Sequence, residues 1–387
     1  MQKENRLVLA CAGSGKTTFL VRRALEESSG SIIITTFTEA NKNEIKQKFV
    51  QLNGGVPGHV TIMTWFTFLL KHGVKPFQGS FNHELLNIRI KGMIFCQQAS
   101  GQYKNLNGEV RYVGEQQFKR YYFTQDYKIY SDKLSKFVCQ ADGVVGGEVV
   151  SRICRIYTHI FIDEVQDLAG YDLEFIKLLF KNTSNILLVG DPRQVTYLTH
   201  HERKHSGYKG GLIKQFLLKE IKKVRYIIDE TTLIASHRNN KPICDFSSKL
   251  YPEFKASIPC DCTECRGTTY QHTGIFLVKP EDVKTYVQQY SPVLLRDNSS
   301  IHPDWNFGKS KGLSFDRVLI YPTQPMTKYL RDGKLTKIVS GVEKPAFEIS
   351  NFYVAITRAR ISVGIVCKFE KEESFIDGVQ FFDPSGL

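Results

Sequence analysis

The residues with the plainest chemistry lie near the start of the chain, in Ala10-Cys-Ala12-Gly13-Ser14-Gly15-Lys16-Thr17-Thr18. Glycines at 13 and 15 let backbone N–H groups curl around phosphate oxygens with no Cβ in the way. Leu7-Val-Leu-Ala10 reads as a short buried strand, and Thr18-Phe-Leu-Val-Arg-Arg-Ala-Leu as a helix. Strand, glycine loop and helix together are the setting that a Walker A phosphate loop requires. The stretch Ala12 to Thr18 would then hold the phosphates of a nucleotide, helped by the partial positive charge of the helix N-terminus. Lys16 would reach the β- and γ-phosphates, and the Thr17 hydroxyl would take one position on Mg²⁺.

A second patch of chemistry follows a β-branched strand, in His159-Ile-Phe-Ile-Asp163-Glu164-Val-Gln166-Asp167. Asp163, at the strand end, suits Mg²⁺, a hard cation that takes oxygen ligands. Glu164 points elsewhere and suits a general base that activates water. A third strand, Asn185 to Val189, ends in Gly190-Asp-Pro-Arg-Gln194-Val-Thr-Tyr197. There the Gln194 amide could sense a γ-phosphate, and Tyr197 could stack on a base.

Strands alternating with helical stretches predict an α/β architecture with parallel sheets to position these loops. The chain has 387 residues, 52 Lys+Arg against 39 Asp+Glu, and a formal charge of +13. That length predicts two or three compact domains, and the charge favours a polyanionic partner, nucleic acid first among them. A content of 42% hydrophobic and 24% charged residues excludes a disordered chain. No apolar run approaches the ~18 residues of a membrane span, so no membrane partner is expected. Nine scattered cysteines suit reduced thiols and a cytoplasmic protein better than a secreted disulfide scaffold. The apolar run before Cys11 is too short for a signal peptide and runs straight into the glycine loop.

The motifs, taken together and in order, resemble those of the UvrD/Rep/PcrA group of superfamily 1 helicases. Besides the glycine loop, Asp163-Glu-Val-Gln-Asp167 and Gly190-Asp-Pro-Arg-Gln194, the resemblance rests on five further segments. They are Ile32 to Ile45, Val60 to Phe68, Ala235-Ser-His-Arg238-Asn-Asn240, Lys311 to Asp316, and Tyr353-Val-Ala-Ile-Thr-Arg358-Ala-Arg360. The resemblance implies two RecA-like P-loop domains with ATP in the cleft between them. Lys16, Thr17, Asp163, Glu164 and Gln194 would come from the first, and Arg238 and Arg358 from the second as arginine fingers. It also implies that Phe37, Thr64, Phe66 and Tyr197 contact single-stranded DNA, with RNA as the alternative strand. The implied activity is an ATP-dependent 3′→5′ translocase and helicase. A P-loop kinase or GTPase would leave the motifs after residue 230 without a purpose.

The first RecA-like domain is expected at 1–71 and 159–222, a small inserted accessory domain at 72–158, and the second RecA-like domain at 223–387. The insertion carries Phe118-Lys-Arg-Tyr-Tyr-Phe123, which reads equally as a duplex or partner contact and as a core helix with a charged face. Several departures from the family accompany the resemblance. Only nine residues precede Ala10, too few for the family's adenine-reading glutamine motif. Phe66 stands where histidine is usual, and Ser314 where glutamate is usual. Residues 239–310 have room for little beyond the second fold's own elements, which raises a second reading. In it the chain is a nucleic-acid-gated ATPase that activates a partner such as a nuclease, as short relatives in phage-defence modules resemble. Finally, Cys260-Asp-Cys262-Thr-Glu-Cys265 with His272 offers three thiols and an imidazole for zinc, although a reduced loop is the favoured reading.

Overall fold

The computed structural model describes residues 4–96, 98–196, 199, 204–298, 304–370 and 373–384. The chain forms two compact units. One comprises Met1–Val8, Thr17–Pro192 and Tyr197–Asp229; the other comprises Leu9–Lys16, Arg193–Thr196 and Glu230–Leu387.

The first unit is built on β1 (Asn5–Ala10), α1 (Lys16–Glu26), β2 (Ile32–Thr36), α2 (Glu39–Asn53) and β3 (Val60–Thr64). After an inserted segment come β4 (His159–Ile162), α4 (Tyr171–Asn182), β5 (Ile186–Gly190) and β6 (Tyr226–Leu233), where α3 is the inserted helix Leu134–Val144. The six strands lie in the order β6-β1-β5-β4-β2-β3, with β2–β3, β2–β4 and β4–β5 parallel. All five residues of β2 and of β5 are buried. Strands covered on both faces read as continuous apolar runs, which is why Ile32-Ile-Ile and Ile186-Leu-Leu-Val show no alternation. Local signals set the ends of α2. The Thr38 hydroxyl accepts from Asn41 N at 3.0 Å, and Gly54 closes the helix in the left-handed region at φ 74°.

The inserted segment has its own aromatic core. Phe81, Tyr122 and Phe123 surround Phe137 of α3, with ring centroids at 4.7, 5.3 and 6.1 Å. The run Phe118 to Phe123 is therefore mainly core, with Tyr121, Tyr122 and Phe123 buried and Lys119 and Arg120 on the exposed face. The contact reading of that run falls to the packing one.

The second unit carries β7 (Ala235–Ser236), α5 (Lys241–Ser248), β8 (Ile258–Pro259), β9 (Gly274–Val278), α6 (Val283–Tyr290), β10 (Val293–Arg296) and β11 (Trp305–Asn306). It continues with β12 (Phe315–Ile320), α7 (Ile349–Ile356), β13 (Ala359–Val366) and β14 (Val379–Phe381). Its main sheet runs β11-β10-β12-β13-β9-β14, and every pairing in it is parallel. Ile275, Leu277, Val318, Ile320, Val363 and Ile365 fill one face together with Phe246 and Phe352 of the helices. The α/β class with two parallel six-stranded sheets, as expected of RecA-like domains, is what the chain adopts.

One buried polar knot fixes α3 and α4 in the first unit. The Asp172 carboxylate accepts from Trp65 Nε1 at 2.6 Å and from the Ser135 hydroxyl, and all three residues are at most 1% exposed. Removing the acceptor strands an indole N–H and a hydroxyl away from water. Asp172→Ala should therefore cost about 3 kcal/mol, and Asp172→Asn, which keeps an acceptor oxygen, clearly less. Urea unfolding followed by tryptophan fluorescence measures both, and equal losses would sink the account.

Candidate nucleotide site and neighbouring loops

The glycine loop leaves β1 and belongs to the second unit up to Lys16. Gly13 and Gly15 have φ of 73° and 79°, the conformation expected where N–H groups must converge on an anion. The loop is held from several sides. Ser236 Oγ donates to Ala12 O at 2.8 Å, and His237 N donates to Gly13 O at 2.8 Å. Ala12 N donates to the Tyr353 hydroxyl at 3.3 Å, and Cys11 N to Leu233 O at 2.9 Å. Arg193 Nη2 donates to Ala10 O at 2.7 Å, with its guanidinium 5.4 Å from the Tyr353 ring centroid. Ser14 is 5% exposed, and its hydroxyl has no hydrogen-bond partner among the described residues. A buried hydroxyl in that state inside a glycine loop suits contact with a phosphate oxygen.

Two arginines sit in the same unit as the loop. Arg238 follows Ser236 and His237 directly. A Cβ on Gly13 would lie 2.7 Å from Arg238 Cβ, which places the start of this side chain against the loop. Arg238 Nη1 donates to Thr357 O at 3.1 Å, and Asn239 Nδ2 donates to Thr357 O and Ala359 O at 3.2 and 2.7 Å. Arg358 is 1% exposed. Its Nε donates to Val354 O at 3.0 Å, Nη1 to Leu313 O at 3.1 Å, and Nη2 to Gln194 Oε1 and Thr357 Oγ1, both at 3.3 Å. Segments far apart in sequence, around 13, 194, 238, 313 and 358, are thus gathered in one unit.

The first unit holds Thr17, Thr18 and the acidic pair. Thr17 and Thr18 form the first turn of α1, and Thr17 Oγ1 donates to Glu44 Oε1 of α2 at 3.0 Å. Asp163 is placed off the end of β4 by Asp163 N donating to Thr35 O at 2.8 Å, and its Oδ2 accepts from Thr36 Oγ1 at 3.2 Å. Glu164 takes a left-handed backbone, φ 55° and ψ 38°, which turns it away from Asp163. A glutamine joins it to the next strand end: Gln166 Nε2 donates to Glu164 Oε2, while Gln166 Oε1 accepts from Asp191 N at 3.1 Å.

The strand-contacting candidates are placed differently from one another. Phe37 is half-buried and lies 5.6 Å, centroid to centroid, from Phe66. Phe66 is only 4% exposed and packs also on the exposed Phe95 at 6.4 Å. Its ring therefore serves packing, while Phe37 and Phe95 keep more open faces. Thr64 caps the next helical turn, accepting from Thr67 N at 3.3 Å. Tyr197 lies outside the described residues.

The cysteine cluster is real, but its imidazole is not the expected one. His272 is stacked between Phe276 and Tyr290, with centroids at 3.6 and 3.9 Å, and its Nε2 lies 3.1 Å from the Tyr286 hydroxyl. Burial, and then the charge of Arg317, lower its pKa to about 4. It is a core aromatic and takes no part in the thiol group. His237 stands there instead, and hydrogen bonds from Cys265, Cys260 and His237 pull the Cys262 thiol down to about 6. His237, Glu44, Gln166, Arg193 and Tyr353 are the neighbours that sequence reasoning left without a role. All five carried a signal, since each falls inside a quoted motif.

With this geometry in hand, the protein is a P-loop α/β protein. Residues 1–200 match the family model AAA_19, described as an AAA domain, and the chain belongs to that family. No curated protein matches it. Solved structures with a similar outline include an arterivirus nonstructural protein 10 (helicase) in complex with DNA, at 14% identity and TM-score 0.46, covering 95% of this chain and 62% of that one. A crystal structure of arterivirus nonstructural protein 10 (helicase) gives 13% and 0.45, covering 95% and 60%. The PRRSV helicase gives 12% and 0.40, covering 94% and 52%. The chain thus spans between 52% and 62% of the length of these helicases. No helix among the described residues is long and apolar enough to cross a membrane.

The contact at Gly13 can be tested against an internal control. Gly54 has nearly the same φ, 74°, with nothing within 4 Å of where a methyl would sit, whereas at Gly13 a Cβ meets Arg238 Cβ at 2.7 Å and Ser236 Oγ at 2.8 Å. Gly54→Ala should cost about 1 kcal/mol for its backbone alone, and Gly13→Ala at least about 2 kcal/mol more for the added overlap. Denaturant unfolding of the two variants decides it; matching losses would mean that the loop is not packed as described.

Proposed function

We propose that this chain is an ATP-driven motor of the superfamily 1 type that moves along single-stranded DNA in the 3′→5′ direction. The observation that carries the reading is the gathering of Arg238, Arg358 and Gln194 in one unit with the glycine loop. Such an arrangement suits a phosphoryl-transfer site, where permanently charged, planar guanidinium groups oppose charge that builds up on phosphate oxygens. The +13 charge suits a nucleic-acid track.

In this reading Ala12 to Thr18 bind the phosphates, and Lys16 lies along the β- and γ-phosphates. Thr17 and Asp163 are the residues that would hold Mg²⁺, which supplies charge neutralisation when bound with ATP. Both offer hard oxygen donors, and each already has a hydroxyl–carboxylate contact, Thr17 with Glu44 and Asp163 with Thr36. Glu164 takes the proton of the attacking water, oriented by the Gln166 amide. Arg238 and Arg358 stabilise the transferring phosphoryl group, and Gln194 ties its presence to Arg358. Phe37 stacks on a base, and Thr64 and Tyr197 contact the strand.

One observation favours the second reading, a nucleic-acid-gated ATPase that switches on a partner such as a nuclease. Among the described residues, 239–310 form only α5, β8, the cysteine turn, the β9 to β11 part of the second sheet, and α6 with the 3₁₀ turn before it. Among the described residues there, no additional domain is present to assist strand separation.

ATPase rates should rise steeply with single-stranded DNA, and Lys16→Ala or Glu164→Gln should lower turnover at least about a hundredfold. Equal turnover with and without DNA or RNA would refute the motor reading. Displacement of an annealed strand by the protein alone supports the helicase, whereas stimulated ATPase without displacement supports the switch. Activation should fade steeply as salt rises, because the track is gripped by its phosphates.

A further inference from the structure

We infer that His237, Cys260, Cys262 and Cys265 form a structural zinc site that fastens the loop carrying Arg238. The four ligand atoms lie within 4.8 Å of one another. A tetrahedral zinc with ordinary Zn–S and Zn–N bonds has edges of about 3.8 Å between sulfurs and about 3.6 Å from sulfur to nitrogen. His237 Nδ1 is 3.6 Å from Cys262 Sγ and 3.8 Å from Cys265 Sγ, and Cys260 and Cys262 Sγ are 3.2 Å apart. The imidazole edges already match, and the sulfur edge opens to fit by about half an ångström.

The backbone makes this arrangement before any metal enters. Strands β7 and β8 pair in parallel, Ala235 with Ile258 and Ser236 with Pro259. His237 and Cys260 are the next residues on each, and Cys260 N donates to Ser236 O at 2.9 Å. Cys262 then opens the helical turn Thr263–Arg266, where Cys265 N and Arg266 N both donate to Cys262 O, at 3.2 and 3.1 Å. Cys262-Thr-Glu-Cys265 has the Cys-x₂-Cys spacing of zinc knuckles.

A second layer surrounds the ligands. Arg266 Nε donates to Cys260 O at 3.0 Å, and its Nη2 donates to Ser236 O and Asn239 O at 2.7 and 2.6 Å. The guanidinium thus buttresses the backbone on both sides of His237 and at Cys260. Three soft sulfurs and one imidazole select zinc over Mg²⁺ or Ca²⁺. The closed four-ligand set is that of a structural site with no position for a catalytic water.

Elemental analysis of the full chain, purified without chelator, should find about one zinc per chain. Cys262→Ser and His237→Ala should each lower metal affinity at least about tenfold, whereas His272→Phe, which keeps the aromatic stack, should retain the metal. Cobalt(II) exchange should give the intense visible bands of a tetrahedral thiolate site. Should a ligand variant fold poorly, zinc added to chelator-stripped wild-type protein must still raise its melting temperature, and Mg²⁺ must not. Wild-type protein free of zinc and unresponsive to it would overturn the inference, as would loss of zinc in His272→Phe with retention in His237→Ala. No nucleotide enters these measurements, so their failure is distinct from failure of the motor reading.

Discussion

A short peptide segment, Ala12 and Gly13, is held on all sides, and the surrounding loops take their places from it. Both of its carbonyls are capped from the 235–240 segment, by Ser236 Oγ and His237 N, while the Ala12 N–H reaches the Tyr353 hydroxyl. Only a residue without Cβ fits at 13, because Arg238 Cβ and Ser236 Oγ already occupy that space. From there the same segment reaches on to Thr357 and Ala359 through Asn239, and to Ile361 through Asn240 at 2.8 Å. A phosphate loop, the base of an arginine and the start of β13 thus share one hydrogen-bonded framework.

In the first unit a different device joins the acidic pair to the following strand. Strands β4 and β5 run parallel, so their C-terminal ends deliver Asp163 and Asp191 to the same edge. Gln166 closes the gap with a single amide whose donor end faces Glu164 and whose acceptor end faces Asp191 N. Gly190 leaves room for this amide, since a Cβ there would fall 2.3 Å from Gln166 Oε1 and push it aside.

The glycine loop, the acidic pair and the parallel α/β architecture were legible in the sequence because each rests on local pattern: glycines two apart, acids at the end of a β-branched run, apolar strands without alternation. What stayed hidden depends on pairings between distant segments. His237 joins cysteines 23 to 28 residues away only because β7 and β8 pair, whereas His272, nearer in sequence, is drawn into the stack of Phe276 and Tyr290. Phe66 has the residue type of a stacking platform, yet it is 4% exposed and packs between Phe37 and Phe95. Phe118 to Phe123 likewise mixes aromatic and basic residues as a contact surface would, and its rings instead fill the core around Phe137.

The enclosure of Arg358 bears on how its genetics must be read. Its hydrogen bonds run to Val354, Leu313, Thr357 and Gln194, so truncating it would both delete a charge and leave several buried acceptors bare. A dead Arg358→Ala variant would consequently be ambiguous between lost chemistry and a collapsed loop. Lysine is no cleaner a substitute, since a point-like ammonium cannot span the positions that a planar fork reaches. The informative variants are those at its side-chain acceptors, Thr357 and above all Gln194, where the contact changes and the guanidinium stays.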